Sequence, residues 1–192
     1  MIICIVGKSG SGKSYVCNLL ESYSENIIHL DIDNISHQVL TFPNVVDKLV
    51  STFGNSVLYN NSINRKALAN IVFNSKSAMD KLTNITWHQM EILIDNFIEN
   101  NQSKIILLDW QLLAKTKYFN QANFKVLVQA DFNLRMKHAI LRDNITEENF
   151  LTREKASYTF NKEDFDIIID NDFSINTDRL VKEFYDKSIV SR

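Results

Sequence analysis

The chain has 192 residues, of which 45% are hydrophobic and 23% charged, values typical of one globular domain with a well-buried core. The formal net charge of −2 argues against a general binder of nucleic acid or of anionic membranes. No apolar run approaches the roughly 20 residues of a membrane helix, and Cys4 and Cys17 are expected to be buried free thiols of a reducing compartment. We therefore expect a cytoplasmic protein.

A glycine-rich motif follows the first apolar run, residues 2–6. Residues 7–14 read Gly-Lys-Ser-Gly-Ser-Gly-Lys-Ser, a complete phosphate-binding loop of the form G-x-x-x-x-G-K-[ST], and residues 15–21 can continue as a helix. Strand, loop and helix together predict a nucleoside triphosphate site. Lys13 is expected to reach the β- and γ-phosphates, and the Ser14 hydroxyl to bind Mg²⁺.

Short β-rich runs alternate with longer helical patterns, which predicts an α/β fold with a five-stranded parallel sheet flanked by helices. The predicted strands are residues 2–6, 26–30, 104–108, 124–129 and 166–169. We expect one domain over residues 1–192, with a core of residues 1–33 and 104–192. The helical insertion at about residues 34–103 is too long for a simple crossover and is a natural cap over a second substrate.

Further helices are predicted in the insertion and after the fourth strand. In the insertion, one helix is predicted over residues 43–53, because Pro43 suits its first turn and Gly54 suits its end. Two more are predicted over residues 65–73 and 87–99. After the strand, one helix is expected from Asp131 to about residue 142 and another capped by Asn144 or Thr146. A final amphipathic helix is expected over residues 177–189.

Acidic side chains follow two of the predicted strands. Asp31 and Asp33 follow the second strand, and in an open parallel sheet ligands lie beyond the carboxyl ends of the strands. Asp33 either orients and deprotonates a substrate hydroxyl or simply caps the next helix, with Asp31 as a solvated strand end. Asp109 closes the third strand and is the usual partner of Ser14 in holding Mg²⁺, although Asp33 competes for that role.

The order of these motifs resembles the dephospho-coenzyme A kinase family over nearly the whole chain. The segments that carry the resemblance are the glycine loop, Asp31-Ile32-Asp33, Phe53-Gly54, Arg65-Lys66-Ala67-Leu68-Ala69, Phe73, residues 82–88, residues 109–113, Arg142-Asp143 and Ile169-Asp170-Asn171. The chain departs from the family pattern at Gln89, Gln111, Lys115, His138 and Ser157.

The resemblance implies a P-loop kinase, similar to nucleoside monophosphate kinases, with a helical cap and a lid at about residues 142–153. It implies transfer of the ATP γ-phosphoryl group to the ribose 3′-hydroxyl of dephospho-coenzyme A, with Asp33, Lys13 and Arg142 as the catalytic residues. Implied nucleotide contacts are Gly10, Ser11, Gly12, Lys13, Ser14, Tyr15, Arg142 and Asn171. Implied acceptor contacts are Asp31, Asp33, His37, Arg65 and His88. Implied metal ligands are Ser14 and Asp109.

Two other functions stay open at this point. A kinase for nucleosides or nucleotides would share the architecture, but Arg65 is the only arginine over residues 34–100, which disfavours an acceptor with a compact 5′-phosphate. An ATP-binding regulator without transfer activity is kept open by the departures at Gln111, Lys115 and His138. No partner is expected beyond ATP, Mg²⁺ and the small-molecule acceptor, and the chain is expected to be a monomer or a weak homo-oligomer.

Overall fold

The computed structural model describes residues 1–190, which contain seven strands. In chain order they are β1 (Ile2–Val6), β2 (Ile27–Asp31), β3 (Leu58–Tyr59), β4 (Ser62–Ile63), β5 (Ile105–Asp109), β6 (Phe124–Gln129) and β7 (Ile167–Asp170). The described residues form a five-stranded parallel sheet in the order β2-β5-β1-β6-β7. This confirms the predicted α/β fold, and each predicted strand is displaced by at most one residue.

Helices lie between consecutive strands of the five-stranded sheet. They are α1 (Lys13–Ser22), α2 (Ile32–Val39), α3 (Pro43–Phe53), α4 (Arg65–Val72), α5 (Lys76–Asn100), α6 (Lys117–Gln121), α7 (Phe132–Asp143), α8 (Glu147–Ala156) and α9 (Ile175–Phe184). Short 3₁₀ turns cover Asn55–Val57, Leu113–Lys115 and Lys162–Asp164, and a π-helical turn covers Tyr185–Val190. Every helix among the described residues is too short or too polar to cross a lipid bilayer.

The chain divides into two compact units. The first unit combines Met1–Asp31 with the chain from Asn101 onward, and the second unit is Ile32–Asn100. That these units act as one kinase domain with a substrate-binding cap stays a prediction.

The core of the first unit lies on the face of the sheet that α1 and α9 cover. The buried side chains of this cluster are Ile3, Ile5, Val16, Cys17, Leu20, Ile27, Leu107, Phe124, Val126, Val128, Ile169, Val181 and Phe184. Most strand residues are apolar because both faces of a parallel sheet are covered. Full burial of one such side chain as large as Leu20 contributes about 1.5–3 kcal/mol.

The second unit has its own apolar cluster, built from Val45, Leu49, Val57, Leu68 and Val72. α3 begins at Pro43 and ends at Gly54, whose φ of 80° is the left-handed conformation that glycine tolerates, so both predicted boundaries are confirmed.

Two features of the second unit differ from prediction. α5 starts at Lys76 rather than at residue 87, because the extra turns pack the partly buried Met79 and Leu82 against the apolar cluster. The hairpin of β3 and β4 was not predicted. Its turn is made by Asn60 and Asn61, both at positive φ, and asparagine is the residue after glycine that adopts this conformation most readily.

The helices after β6 follow the predicted caps. The Asp131 side chain accepts from two backbone N–H groups at the start of α7, and Thr146 caps α8, where Glu147 and Glu148 occupy the first turn. The closing helix begins at Ile175, two residues before the predicted start, and changes to a π-helical turn at Tyr185.

Candidate active site

The phosphate-binding loop connects β1, the central strand of the sheet, to α1. Gly10 has a φ of 77°, and Gly12, the residue before α1, has a φ of 88°. The first N–H groups of a helix have no partner within the helix and point along its axis, where the helix dipole is positive. The start of α1 at Lys13 therefore offers backbone donors and a favourable field to an anion held by the loop.

The loop is packed from behind by two other elements. A Cβ atom on Gly10 would lie 2.2 Å from the backbone oxygen of Arg135, and one on Gly12 would lie 2.0 Å from Nδ2 of Asn171. Both positions also need positive φ. The shape of the loop is thus fixed by close neighbours as well as by its own sequence.

Asn171 holds the loop through its side chain. Its Nδ2 donates to the backbone oxygen of Ser11 at 2.8 Å, and its Oδ1 accepts from the N–H of Phe173 at 2.8 Å and from Thr177 Oγ1 at 2.9 Å. Asn171 is only 2% exposed. A contact between Asn171 and nucleotide stays a prediction, whereas its link to the loop is a role that the sequence analysis did not identify.

Ser14 and Asp109 are brought together as predicted. Ser14 Oγ donates to Asp109 Oδ2 at 2.9 Å, and the carboxylate stands at the carboxyl end of β5 in a residue that is 3% exposed. A buried carboxylate beside a hydroxyl supplies the oxygen ligands that Mg²⁺ prefers. These donors therefore fit the metal that the motif implies, and metal binding by this pair stays a prediction.

His29 lies beside this carboxylate and was not identified from the sequence. Its Nε2 is 3.5 Å from Asp109 Oδ2, and its Nδ1 is 3.9 Å from Oε2 of Glu21. Burial lowers the pKa of His29, but the carboxylates of Asp109, Glu21 and Asp31 outweigh burial and raise the pKa overall. The sequence signal that could have identified His29 is its position as the one polar residue in the apolar run of residues 27–30.

Lys13 and Tyr15 occupy the first turn of α1. Lys13 is half-buried, and its Cγ would lie 3.2 Å from a Cβ on Gly7, so its aliphatic stem runs along the loop. The Tyr15 hydroxyl donates to Asp178, which raises the pKa of the phenol. Contacts of both side chains with nucleotide stay predictions.

Arg142, the arginine of the predicted lid, is bound to its neighbour in the chain. Arg142 is exposed and donates to Asp143 through Nε at 2.7 Å and Nη2 at 3.2 Å, and Arg153 donates to the same carboxylate at 2.8 Å. The hydrogen bond from Arg142 is the main reason that the pKa of Asp143 is lowered. The predicted lid therefore holds two arginines on one carboxylate.

A second ion-pair group joins α8 to the phosphate-binding loop and was missed by the sequence analysis. Arg135, only 6% exposed, donates to both oxygens of Glu154 at 2.9 Å, and Lys8 Nζ donates to Oε1 at 2.7 Å. The pKa of Glu154 is lowered chiefly by Arg135. Arg135 also donates to the backbone oxygen of Ser9 at 3.3 Å. The sequence signal that could have identified this group is the position of Arg135 on the same face of α7 as the buried Ala139.

The predicted acceptor residues occupy several elements. Asp31 ends β2 and pairs in register with Asp109. Asp33 and His37 lie one turn apart on α2, and both are exposed. The remaining two, Arg65 at the start of α4 and His88 in α5, are exposed as well. Their contacts with an acceptor stay predictions.

Two residues that depart from the family pattern pack against aromatic rings. His138 stacks on Phe173 with ring centroids 3.8 Å apart, and Phe173 in turn lies behind Gly12. Lys115 Nζ lies 4.9 Å from the centre of the Tyr158 ring. Both departures therefore have structural partners in the first unit.

A cavity of about 360 Å³ opens at the carboxyl ends of β6 and β7. Its lining residues are Gln129, Ala130, Asp131, Leu134, Asp170, Asn171 and Asp172. This volume lies in the range of small-molecule sites, and the position is where open α/β sheets bind ligands.

The fold and the loop define the chain as an α/β protein with a phosphate-binding loop. A solved structure from Thermus thermophilus has a TM-score of 0.84 at 22% identity, over 98% of this chain and 97% of that one. A solved dephospho-CoA kinase from Campylobacter jejuni has a TM-score of 0.60 at 21% identity, over 97% and 96% of the two chains. At these identities the likeness to both structures concerns the fold.

The family follows from sequence. The family model described as dephospho-CoA kinase matches residues 1–177. The dephospho-CoA kinase of Clostridium tetani is 29% identical over 189 residues, which cover 94% of this chain and 82% of that protein. The chain belongs to the dephospho-CoA kinase family, whose members are phosphotransferases that act on an alcohol group.

Proposed function

We propose that the protein transfers the γ-phosphoryl group of ATP to the ribose 3′-hydroxyl of dephospho-coenzyme A, giving coenzyme A and ADP. The observation that carries the proposal is the hydrogen bond from Ser14 to the buried Asp109, because it sets a hydroxyl and a carboxylate beside the first turn of α1. The match to the family model over residues 1–177 supports this acceptor.

The nucleotide phosphates would be held by the chain's own donors. The backbone N–H groups of the loop from Gly10 to Ser14 surround the β-phosphate, and Lys13 neutralises charge on the β- and γ-phosphates. Phosphoryl transfer passes through a loose, highly charged transition state, so positioning and charge neutralisation supply most of the rate enhancement. The cavity beside Asn171 is the proposed site of the nucleoside.

Ser14 and Asp109 are the residues that would hold Mg²⁺, Asp109 directly or through water. When bound, Mg²⁺ would supply positive charge beside the phosphates. The buried position of Asp109 keeps its carboxylate directed at the start of α1.

The acceptor hydroxyl would be oriented by Asp33. An acid in the first turn of α2, directly after β2, suits this task because ligands bind beyond the carboxyl ends of parallel strands. Asp33 accepts the proton of the 3′-hydroxyl as the new phosphate–oxygen bond forms. Asp31, His37, Arg65 and His88 are the proposed contacts to the rest of the acceptor.

Arg142 would leave Asp143 and contact the transferred phosphate from the lid. Its planar guanidinium presents paired donors that match phosphate oxygens, which a lysine cannot reproduce. Arg153 already binds the same Asp143 carboxylate and would keep it paired when Arg142 moves.

Two further proposals concern the acceptor and the compartment. The first rests on Arg65 as the only arginine over residues 34–100, and the second on the free thiols Cys4 and Cys17. The acceptor is not a compact nucleoside 5′-phosphate, and the protein works in the reducing cytoplasm as a monomer or weak homo-oligomer.

A coupled assay of ADP release with Mg²⁺ and ATP tests the proposal. Dephospho-coenzyme A, adenosine and AMP are supplied as separate acceptors. The expected result is rapid release with dephospho-coenzyme A alone. Preference for AMP or adenosine would assign a different small-molecule kinase, and ATP binding with no acceptor-dependent release would assign a regulator.

A further inference from the structure

Three metal-ligating side chains meet beneath the start of α1. Cys17 lies on α1 three residues after Ser14, His29 on β2, and Asp109 at the end of β5. One ligand atom from each, the thiol sulfur, an imidazole nitrogen and a carboxylate oxygen, lies within 4.8 Å of the other two. We call these three residues the Cys17–His29–Asp109 cluster.

The spacing of the cluster is close to that of a tetrahedral metal site. Two nitrogen or oxygen ligands held 2.0–2.1 Å from a tetrahedral ion are about 3.3 Å apart. His29 Nε2 and Asp109 Oδ2 are 3.5 Å apart. A sulfur ligand sits farther from the ion, at about 2.3 Å, so a Cys17 sulfur within 4.8 Å of both atoms needs only a small movement to complete the triad.

The His29 nitrogen that faces the cluster lacks a well-formed hydrogen bond. His29 Nε2 is buried, and its 3.5 Å contact with Asp109 Oδ2 does not have the geometry of a hydrogen bond. The other ring nitrogen, Nδ1, lies 3.9 Å from Glu21 Oε2. Metal-bound histidines regularly give their second N–H to such a carboxylate, which fixes the tautomer with a lone pair on the metal side.

The ligand types select the ion. Thiolate, imidazole and carboxylate together suit a borderline-soft divalent ion such as Zn²⁺, whereas Mg²⁺ prefers oxygen ligands in an octahedral shell. Cys17 is fully buried, and the His29 side chain is 12% exposed, which leaves a route of entry on one side.

We propose that the Cys17–His29–Asp109 cluster binds one thiolate-preferring divalent metal ion of the Zn²⁺ type, with Glu21 as the outer partner of His29. The sulfur–metal bond forms as the Cys17 thiol proton leaves to solvent, and a water molecule takes the fourth position. Because Asp109 is also the partner of Ser14, occupation of the cluster takes this carboxylate away from the magnesium site.

Co²⁺ is the probe for this site because it replaces Zn²⁺ and reports its ligands by absorption. The full-length protein, freed of metal and kept reduced, is titrated with Co²⁺ in the absence of nucleotide. We expect one ion per chain, a sulfur-to-cobalt charge-transfer band and the intense visible bands of tetrahedral cobalt, all reversed by Zn²⁺. This spectrum needs no substrate, so its result is separate from the test of phosphoryl transfer.

Substitutions assign the ligands. Cys17→Ala should abolish the charge-transfer band. His29→Gln removes a direct ligand and should weaken binding by at least ~100-fold, the upper end of what loss of an outer partner costs. Glu21→Gln, which leaves all three ligands in place, should keep the band and weaken binding by roughly 10–100-fold. Cys4→Ala is the matched control, because Cys4 is the other buried thiol and its Sγ lies against the backbone oxygen of Tyr118.

The outcomes decide the proposal even if one variant folds poorly. Circular dichroism and thermal melting identify such a variant, and Glu21→Gln at the half-exposed outer position then carries the test together with the wild type. An absent band in the wild-type protein, or a band that Cys4→Ala removes and Cys17→Ala leaves, would overturn the site.

Competition for Asp109 gives a second measurement, which rests on the proposed function. At a free Zn²⁺ concentration held by a chelator buffer, phosphoryl transfer should be inhibited in the wild type, and the inhibition should weaken at least ~10-fold in Cys17→Ala. Equal sensitivity of the two proteins, with the cobalt band present, would mean that the ion binds without taking Asp109.

Discussion

The predicted functional residues of the two compact units differ in burial and in hydrogen bonding. In the first unit the phosphate-binding loop is held by buried partners, with Asn171 on Ser11 and Asp109 on Ser14. In the second unit the predicted acceptor residues, such as Arg65 and His88, are exposed on helices. The comparison indicates that the predicted nucleotide side is already held in place by hydrogen bonds within the protein, whereas the predicted acceptor side chains are exposed.

The largest effect is expected at the organised side, from Lys13→Ala. Removing this cation should lower kcat/KM for ATP by about 10³-fold, because its charge acts on the phosphates where negative charge concentrates. The coupled ADP-release assay measures it. Lys8→Ala is the control in the same loop, and less than ~10-fold loss is expected because the Lys8 ammonium is engaged with Glu154. Unchanged ATP affinity and turnover in Lys13→Ala would contradict the loop assignment.

On the acceptor side, Asp33→Asn should retain ATP binding and reduce transfer by at least ~100-fold, the usual range for a group that accepts a proton in the transition state. Calorimetry gives the nucleotide affinity, and single-turnover kinetics give the transfer rate. Asp47→Asn on α3, an exposed acid in the same unit, should behave like wild type. Equal transfer rates in Asp33→Asn and wild type would show that Asp33 only stabilises the first turn of α2.

A pair of glycine substitutions measures how tightly each unit is built. Gly12→Ala and Gly54→Ala both place a side chain at positive φ, which costs about 1–3 kcal/mol. A Cβ on Gly12 would also displace Asn171, whereas one on Gly54 has no atom within 4 Å. Gly12→Ala should therefore lose about 1 kcal/mol more, the value of the Asn171 hydrogen bond, and should lose nucleotide affinity. Denaturant midpoints and ADP titrations compare the two, and equal losses would mean that the loop tolerates a shift.

The smallest effect is a pH dependence within the first unit. The pKa of Glu154 is lowered in the folded state by Arg135, so its contribution to stability is present above the usual carboxyl pKa of 4.5 and is lost as pH falls through the lowered folded value. Glu154→Gln should be less stable than wild type at neutral pH by about 1–3 kcal/mol, because Arg135 is left buried without its anion.

This difference should shrink as the pH of the unfolding experiment is lowered below 4.5. Glu183→Gln is the control, because Glu183 pairs with Lys187 on the exposed surface of the C-terminal helix, and exposed pairs contribute little. A gap between wild type and Glu154→Gln that stays constant with pH would mean that Glu154 acts through packing rather than charge.

Much of the first unit was predictable because its signals are local. The glycine loop, the five apolar strands and the Ser14–Asp109 pair follow from short motifs and from the rule that strand ends meet at one edge of a parallel sheet. The caps at Asp131 and Thr146 likewise depend on residues next to each other in the chain.

The missed features depend on contacts between distant residues. The first turns of α5 contain Ser77 and Thr83, whose side chains favour caps and turns over helix interiors, so helix is fixed there by packing of Met79 and Leu82. Arg135 resembles any surface cation of an amphipathic helix until Glu154, 19 residues later, is placed beside it.

Asn171 joins the last strand of the sheet to a loop 160 residues earlier in the chain. Residue 11 leaves the ribosome long before residue 171 is made, and a contact between such distant residues cannot form until both are available. The phosphate-binding loop therefore gains this support only after β7 has been made. A chain synthesised only as far as β6 would lack the Asn171 contact, and we expect it to hold nucleotide more weakly than the chain that includes Asn171.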